Sequence, residues 1–173
     1  YAHHPIYGDV RSYDKTYIGL NTMHPNRLVR ESFENGALRD VIPYHALRAE
    51  VAYGNASRVD FILEKENAKQ IYVEVKNVHL VRRKGHAEFP DCKTARGARH
   101  MQELGNVSAQ GHEAYVIYVV QRSDVTHFSL AQDLDPFYCE QAVLAQKAGV
   151  KMLAFSCTLS LNSISLDKQL RVI

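Results

Sequence analysis

Residues 47–78 constrain the fold more than any other part of the chain, because two turn signals divide this stretch into three strands. The signals are Gly54-Asn55-Ala56 and the polar loop at residues 64–70. Side chains of a strand alternate between two faces, so the pairing register can be chosen as the one that sorts apolar from polar residues. Hairpins centred on Asn55 and Asn67 give that register.

In this register one face is wholly apolar, and we predict that it is the core face, with Val51 beside Val59, Val59 beside Val75, Phe61 beside Val73 and Leu63 beside Ile71. The opposite face aligns Glu50, Asp60 and Glu74 in one row across the three strands. Lys76 lies two residues beyond Glu74 on the same side. A slip of one residue would bring Asp60 into the core, which the cost of burying an unpaired charge opposes.

A row of opposed carboxylates indicates a bound cation, because their Cβ atoms would lie about 5 Å apart and the charges would repel. Hard oxygen ligands at this spacing suit Mg²⁺ or Mn²⁺. Lys76 beside such an ion can orient a water nucleophile or stabilise charge on a phosphate oxygen. Each acid taken singly is more often a surface carboxylate than a ligand. The prediction of a metal site therefore depends on the register.

A basic segment follows these strands. Residues 80–100 contain six Lys or Arg against two acids, while the whole chain carries a net charge of only +2. Such an excess is typical of a surface that binds a polyanion, although a solvated face of mixed charge is the other interpretation. Arg96, Arg99 and His100 lie at i, i+3 and i+4 of a predicted helix, so they share a face that can contact phosphates. Lys84 precedes them in the same segment, and a general-acid role for His100 is left open.

Apolar periodicity and helix start and stop signals predict the remaining elements. In chain order they are a strand-like stretch at 10–20, a helix opened by Pro25 and closed by Gly36, a helix capped by Asp91 or Thr94 that runs to about Leu104 with Gly105 past its end, a buried strand at 113–120, a helix at 136–148 ended by Gly149, a buried strand at 151–156 and a terminal hairpin or pair of short strands at 159–173. This order predicts an α/β fold with a mixed β-sheet flanked by helices.

Composition limits the possible classes of protein. A length of 173 residues suits one domain, and 46% apolar with 23% charged residues is an ordinary globular mixture. No apolar run approaches the roughly 18 residues of a membrane span, so no membrane association is predicted. The three cysteines lack CxxC spacing, which disfavours a structural zinc site and favours a reducing cytoplasm.

Two sets of motifs resemble known families. The segments Arg58-Val-Asp60-Phe61 and Tyr72-Val-Glu74-Val-Lys76 resemble the paired-strand signature of the PD-(D/E)XK nuclease superfamily. The wider sequence is similar to the sugar fermentation stimulation protein A (SfsA) family, through Gly85-His-Ala-Glu-Phe-Pro-Asp91, Thr94-Ala-Arg96-Gly-Ala-Arg99-His100, Asn21-Thr22 and Asn26-Arg27-Leu28 with Glu31. This similarity covers essentially the whole chain.

The resemblance implies a bacterial or archaeal cytoplasmic protein that binds DNA. Residues 21–173 would form a PD-(D/E)XK (restriction-endonuclease-like) core, and residues 1–20 would be the tail of a truncated N-terminal OB-like domain. It also implies that Glu31 supports the metal site, ranked with Glu50 below the central Asp60, Glu74 and Lys76. Arg27 joins the predicted nucleic-acid-binding residues on the same ground.

The leading hypothesis is a nuclease of low sequence specificity that depends on Mg²⁺ or Mn²⁺, with Asp60, Glu74 and Lys76 as its catalytic residues. The alternative is a non-catalytic DNA-binding regulator of sugar metabolism that retains the nuclease fold. A protein-interaction module has no sequence feature in its favour, and no protein partner is predicted. The residues alone do not separate DNA from RNA, whereas the resemblance favours DNA.

Overall fold

The computed structural model describes residues 10–13, 16–53, 57–65 and 69–173. Within these ranges the helices are α1 (His24–Glu34), α2 (Ala95–Ala109) and α3 (Pro136–Lys147). The strands are β1 (Val10–Tyr13), β2 (Thr16–Gly19), β3 (Ala46–Tyr53), β4 (Ser57–Glu64), β5 (Gln70–Val78), β6 (Leu80–Arg83), β7 (His86–Phe89), β8 (Glu113–Val120), β9 (His127–Leu130), β10 (Lys151–Leu159), β11 (Ile164–Gln169) and β12 (Arg171–Val172).

The larger sheet has six strands in the order β11-β10-β8-β5-β4-β3. Its centre is parallel, because β8 runs parallel to both β5 and β10. The outer pairs β3–β4, β4–β5 and β10–β11 are antiparallel. Val51 of β3 lies opposite Val59 of β4, as predicted. The mixed α/β plan predicted from the sequence is therefore confirmed.

Helices cover both faces of the larger sheet. Residues of β5 and β8 alternate between two apolar clusters, as the period of a strand requires. Val73 and Ile117 pack with Phe33 of α1 on one face, and Val116 packs with Met101 of α2 on the other. From Ala114 onward every residue of β8 is buried. Two-sided burial explains why β8 reads in the sequence as a continuous apolar run.

Helices α2 and α3 pack closely against each other, and Gly105 lies at their contact. A Cβ atom at Gly105 would lie 3.5 Å from the backbone Cα of Ala145. The prediction that Gly105 follows the end of α2 is wrong, since the helix continues to Ala109. The glycine serves helix packing rather than helix termination. Gly149, by contrast, follows α3 with a φ of 108°, as predicted for its end.

A second sheet of four short strands, in the order β12-β9-β7-β6, was not predicted. The basic segment after β5 forms the hairpin β6–β7, and β7 then pairs in parallel with β9 across a long stretch of chain. Ala87 and Phe128 of this smaller sheet are buried in the same cluster as α2 and α3. Four-residue strands carry too few alternations to be identified from periodicity.

The predicted strand-like stretch at 10–20 contains two strands, β1 and β2, which pair with each other. The N–H of Gly19 donates to the carbonyl of Gln121 at 2.9 Å, which attaches β2 to the end of β8. The assignment of residues 1–20 to a separate domain stays a prediction. No helix among the described residues is long and apolar enough to span a bilayer.

Candidate active site

The site begins where β4 and β5 separate, at Asp60. Their ladder includes Phe61 opposite Val73 and ends there. Beyond that pair, the backbone N–H of Val75 donates to Oδ2 of Asp60 at 2.7 Å. The predicted register is confirmed up to this point. The predicted pairing of Val59 with Val75 is wrong, because the Asp60 side chain takes the hydrogen bond that a β4 carbonyl would have accepted.

Glu74 supplies the second carboxylate and is only 4% exposed. Its Oε1 accepts from Nζ of Lys76 at 2.7 Å and bonds Nδ1 of His100. Its Oε2 is buried and has no hydrogen-bond partner among the described residues. A buried carboxylate oxygen without a partner is costly. The site therefore has one strong acceptor available for a cation.

His100 reaches Glu74 because the start of α2 is held in place. The Thr94 side chain accepts from the N–H of Gly97 at 3.0 Å and caps the helix. The N–H of Thr94 in turn donates to Asp135, which caps α3. The capping residue was one of the two predicted from the sequence. These bonds fix the turn from which His100 projects into the interior.

The three residues predicted to share a phosphate-binding face differ in burial. Arg96 and Arg99 are exposed, but His100 is buried against Glu74. With Nδ1 donating to the carboxylate, Nε2 of His100 is the acceptor, and Nε of Arg96 lies 3.5 Å from it. Lys76 Nζ lies 3.4 Å from Nδ1 of the same ring. His100 thus belongs to the acidic site, and Arg96 lies at its outer edge.

Helix α1 contributes Asn26, which sequence reasoning did not assign to the site. Its Nδ2 donates to Oδ1 of Asp60 at 2.6 Å. Pro25 in the first turn favours the start of the helix and so places Asn26. In the sequence, Asn26 is marked only by its place in the Asn26-Arg27-Leu28 motif, which resembles the SfsA family. No local pattern reveals a contact between residues 34 positions apart.

The two carboxylates have opposite pKa shifts. Burial, and then the charge of Glu74, raise the pKa of Asp60 above its ordinary value, and the bonds from Val75 and Asn26 offset this only in part. Burial also raises the pKa of Glu74, but the hydrogen bond with His100 and the charge of Lys76 outweigh it, so the net shift is downward. Glu74 is therefore held ionised, while the charge on Asp60 lacks full compensation.

The structure defines the positions of the other two predicted metal ligands, Glu50 and Glu31, in less detail. Glu50 lies in β3 between Ala49 and Val51, whose partners in β4 flank Asp60, and its side chain is outside the described part. Glu31 lies 4.0 Å from Arg27 and lines a cleft between α1 and β11. Within the described ranges, no three His, Cys, Asp or Glu side chains form a group that holds a metal by itself.

The remaining predicted basic residues lie apart in the fold. Arg27 is on α1, half exposed, as the partner of Glu31. Lys84 lies in the turn between β6 and β7. The hydrogen bond with Arg122 lowers the pKa of Asp124, and the charge of Lys84 adds a smaller effect in the same direction. The structure therefore groups Asp60, Glu74 and Lys76 with Asn26 and His100, and distributes the basic residues over α1, α2 and the smaller sheet.

Comparison with known proteins gives a consistent result. A family model described as the Sugar fermentation stimulation protein RE domain matches residues 23–163. The match begins at the N-cap of α1 and ends just before β11. It therefore includes every residue of the site described above.

Two curated relatives are each described as a sugar fermentation stimulation protein homolog. The protein from Bartonella tribocorum is 46% identical over 87% of this chain and 63% of its own length. The protein from Rhodospirillum centenum is 45% identical over 92% of this chain and 68% of its own length. The chain thus spans about two thirds of the relatives that it matches.

A solved structure, that of Pyrococcus furiosus SfsA in complex with Ca²⁺, has the same fold. The TM-score is 0.85, with 24% identity, over 95% of this chain and 71% of that chain. At this identity the likeness concerns the fold. It agrees with the mixed α/β architecture described above.

Proposed function

The chain belongs to the sugar fermentation stimulation protein family, and from that premise we propose that it hydrolyses phosphodiester bonds of nucleic acid with a divalent metal ion. One observation carries the proposal. Two carboxylates and a lysine, all from adjacent strands, meet at one point of the sheet, where Glu74 keeps a buried oxygen without a hydrogen-bond partner. A surface carboxylate pair would leave its oxygens in water.

The residues fit Mg²⁺ or Mn²⁺ better than a cation that needs a full protein cage. Mg²⁺ binds through one or two carboxylates and keeps several waters or substrate oxygens. Asp60 and Glu74 supply two carboxylates, and Glu50 and Glu31 are further candidate ligands. The related structure in complex with Ca²⁺ supports a site for a hard, oxygen-seeking cation. When bound, such an ion activates water and neutralises charge on a phosphate.

Each side chain then has a distinct role. Asp60 and Glu74 would hold the ion, and Lys76 would donate its remaining N–H groups to a phosphate oxygen or to the attacking water. Asn26 and His100 are positioning residues, because they contact the carboxylates and orient them. Orientation of this kind is what keeps metal ligands in a productive geometry.

Nucleic acid would approach along α2. Arg96 lies at the outer edge of the acidic site and Arg99 is exposed on the same helix. Arginine donates two parallel N–H groups to a phosphate, which suits sequence-independent contact. Lys84 and Arg27 extend the proposed surface. We propose DNA as the substrate and the cytoplasm as the compartment, in keeping with cysteines that are all free thiols.

Cleavage assays on the purified protein test the proposal. Single- and double-stranded DNA and RNA are incubated with Mg²⁺, Mn²⁺ or EDTA, and products are separated on denaturing gels. We expect cleavage with either metal and none with EDTA.

The matched control is Asp60→Asn, which keeps the shape of the side chain and removes one negative charge. Cleavage that persists undiminished in this variant would contradict the assignment of catalysis to this site. If the wild-type protein cleaves nothing with any metal, the nuclease proposal fails and the DNA-binding regulator becomes the better hypothesis.

A further inference from the structure

The smaller sheet carries a row of four basic side chains, one from each strand. Arg83 of β6 is paired with His86 of β7. His86 is paired with His127 of β9, and His127 with Arg171 of β12. Residues paired directly across strands project from the same face of a sheet. We call Arg83, His86, His127 and Arg171 the basic row.

The basic row lies on the face that points away from the core. Its chain neighbours Ala87 and Phe128 are fully buried beneath the sheet, so the alternation of the strands turns the row outward. Arg83 and Arg171 are exposed. The rings of His86 and His127 lie side by side, with centroids 4.5 Å apart.

Nothing within the described residues neutralises the two arginines of the row. The contrast with Arg82, the residue before Arg83, is direct. Arg82 donates to both oxygens of Glu88, at 2.8 and 2.6 Å, and also bonds Asp133. No described acid is paired with Arg83 or Arg171 in this way. The two guanidinium groups stand at opposite ends of the row with the two histidines between them, so an extended external anion can contact both.

We propose that the basic row is a contact track for the phosphate backbone of the nucleic acid on which the acidic site acts, an inference that rests on the proposed function. Strands are spaced by about 4.8 Å, so four of them span about 14 Å, the axial rise of roughly four nucleotides of one strand. A linear polyanion matches this length. The guanidinium groups and ring N–H groups supply donors, and the Ser129 hydroxyl lies 2.7 Å from Nε2 of His86.

This track takes Arg83 and His86 from the basic segment at residues 80–100 and uses none of the predicted residues on α2. It also depends on His127 and Arg171, which lie far along the chain from that segment. The track contacts phosphates only, so binding through it is independent of base sequence and falls with salt.

Binding measurements in EDTA test the inference without cleavage. The affinity of fluorescein-labelled duplex DNA, single-stranded DNA and RNA is measured by fluorescence anisotropy over a series of NaCl concentrations. The test protein carries Arg83→Gln and Arg171→Gln together. We expect its affinity to fall roughly tenfold and the slope of log K against log salt to flatten by about 2, one for each lost phosphate contact.

Two controls make the result specific. Lys147→Gln removes one charge at the exposed end of α3 and should leave the slope unchanged. The double variant Arg83→Lys with Arg171→Lys keeps both charges and should retain most of the slope. Melting curves of all variants show whether each is folded.

The inference is overturned if the double glutamine variant binds like the wild type, if Lys147→Gln loses as much affinity per charge, or if the wild type binds no nucleic acid. These outcomes are distinct from failure of the proposed function. A wild type that binds through the basic row but cleaves nothing with any metal contradicts the nuclease alone. A wild type that cleaves, with a basic row that contributes nothing, contradicts the track alone.

Discussion

The acidic site in the larger sheet and the basic row in the smaller sheet hold their charges in opposite ways. The larger sheet is covered on both faces, and Glu74 at its centre is buried and bonded to Lys76 and His100. The smaller sheet is covered on one face, and its other face presents Arg83 and Arg171 to solvent. The charge of Glu74 is tolerated because nearby groups orient it. The charges of Arg83 and Arg171 are tolerated because water solvates them, whereas Arg82 of the same sheet is paired with Glu88 and Asp133.

The difference indicates a division of labour. Buried, oriented carboxylates suit chemistry, since their geometry is fixed before a ligand arrives. Exposed arginines on a sheet suit binding, since they adapt to a flexible polyanion. The following predictions test whether mutations can distinguish the roles of the two sheets, beginning with the largest expected effect.

Removing the acidic site should eliminate cleavage and spare binding, whereas removing the basic row should do the reverse. We expect Glu74→Gln and Asp60→Asn each to lower the cleavage rate at saturating substrate by at least about 100-fold, because each removes a charge that holds the metal. Arg83→Gln with Arg171→Gln should keep that saturated rate and raise the KM. Steady-state kinetics of all variants on one substrate provide the measurement. A common loss of saturated rate in both sets would refute the division of labour.

Alanine substitutions at two neighbouring positions of one strand should have clearly different effects on the free energy of unfolding only in the smaller sheet. In β8, Val116 and Ile117 face opposite buried sides, so Val116→Ala should be clearly destabilising and Ile117→Ala should cost about 2–5 kcal/mol. In β9, Phe128→Ala should cost about 3–5 kcal/mol, while His127→Ala on the open face should cost less than about 0.5 kcal/mol. Urea unfolding gives the free energies. A large cost for His127→Ala would mean that the outer face is covered.

The two carboxylates should respond differently to neutralisation in the metal-free protein. Glu74 has a lowered pKa because its bonds to His100 and Lys76 outweigh burial, so Glu74→Gln should lose about 1–3 kcal/mol of stability. Asp60 has a raised pKa from burial and from the charge of Glu74, so Asp60→Asn should keep or slightly raise stability. Thermal melts in EDTA measure both. Equal losses would show that Asp60 is as well compensated as Glu74.

The pH dependence of stability should also have opposite signs for Glu88 of the smaller sheet and Asp60 of the larger sheet. The hydrogen bond from Arg82 lowers the pKa of Glu88, so its contribution to stability exists above the unfolded pKa, near the ordinary 4.5, and is lost as pH falls through the lower folded pKa. Glu88→Gln should therefore cost a little stability at neutral pH and nothing in acid. Asp60 has a raised pKa, so its contribution to stability is present below its ordinary pKa of 3.8. This contribution is lost as pH rises through the pKa of the folded state.

For that reason the advantage of Asp60→Asn over the wild type should grow with pH. Melting temperatures across the acid range, in EDTA, measure the difference between each variant and the wild type. Parallel profiles for the Asp60 and Glu88 variants would contradict the opposite shifts.

Much of the larger sheet could be predicted because the features that specify it lie in neighbouring segments of the sequence. Turn residues and alternation gave the β3–β4 register and the β4–β5 register as far as Phe61 and Val73, and a continuous apolar run gave β8. The site was predictable to the same extent. Asp60, Glu74 and Lys76 were grouped from the register alone, although the detailed geometry, in which Asp60 ends the ladder and bonds Val75, was not.

The sequence by itself determined which strands would pair locally, which face would be apolar and which carboxylates would meet, because these follow from spacing along neighbouring segments. Only the tertiary structure decided that Asn26 would hold Asp60, that His100 would be buried on Glu74 rather than exposed beside Arg99, and that β7 would pair with β9. Each of these contacts joins residues far apart in the chain. Their formation depends on how helices and sheets pack, and no local period records that packing.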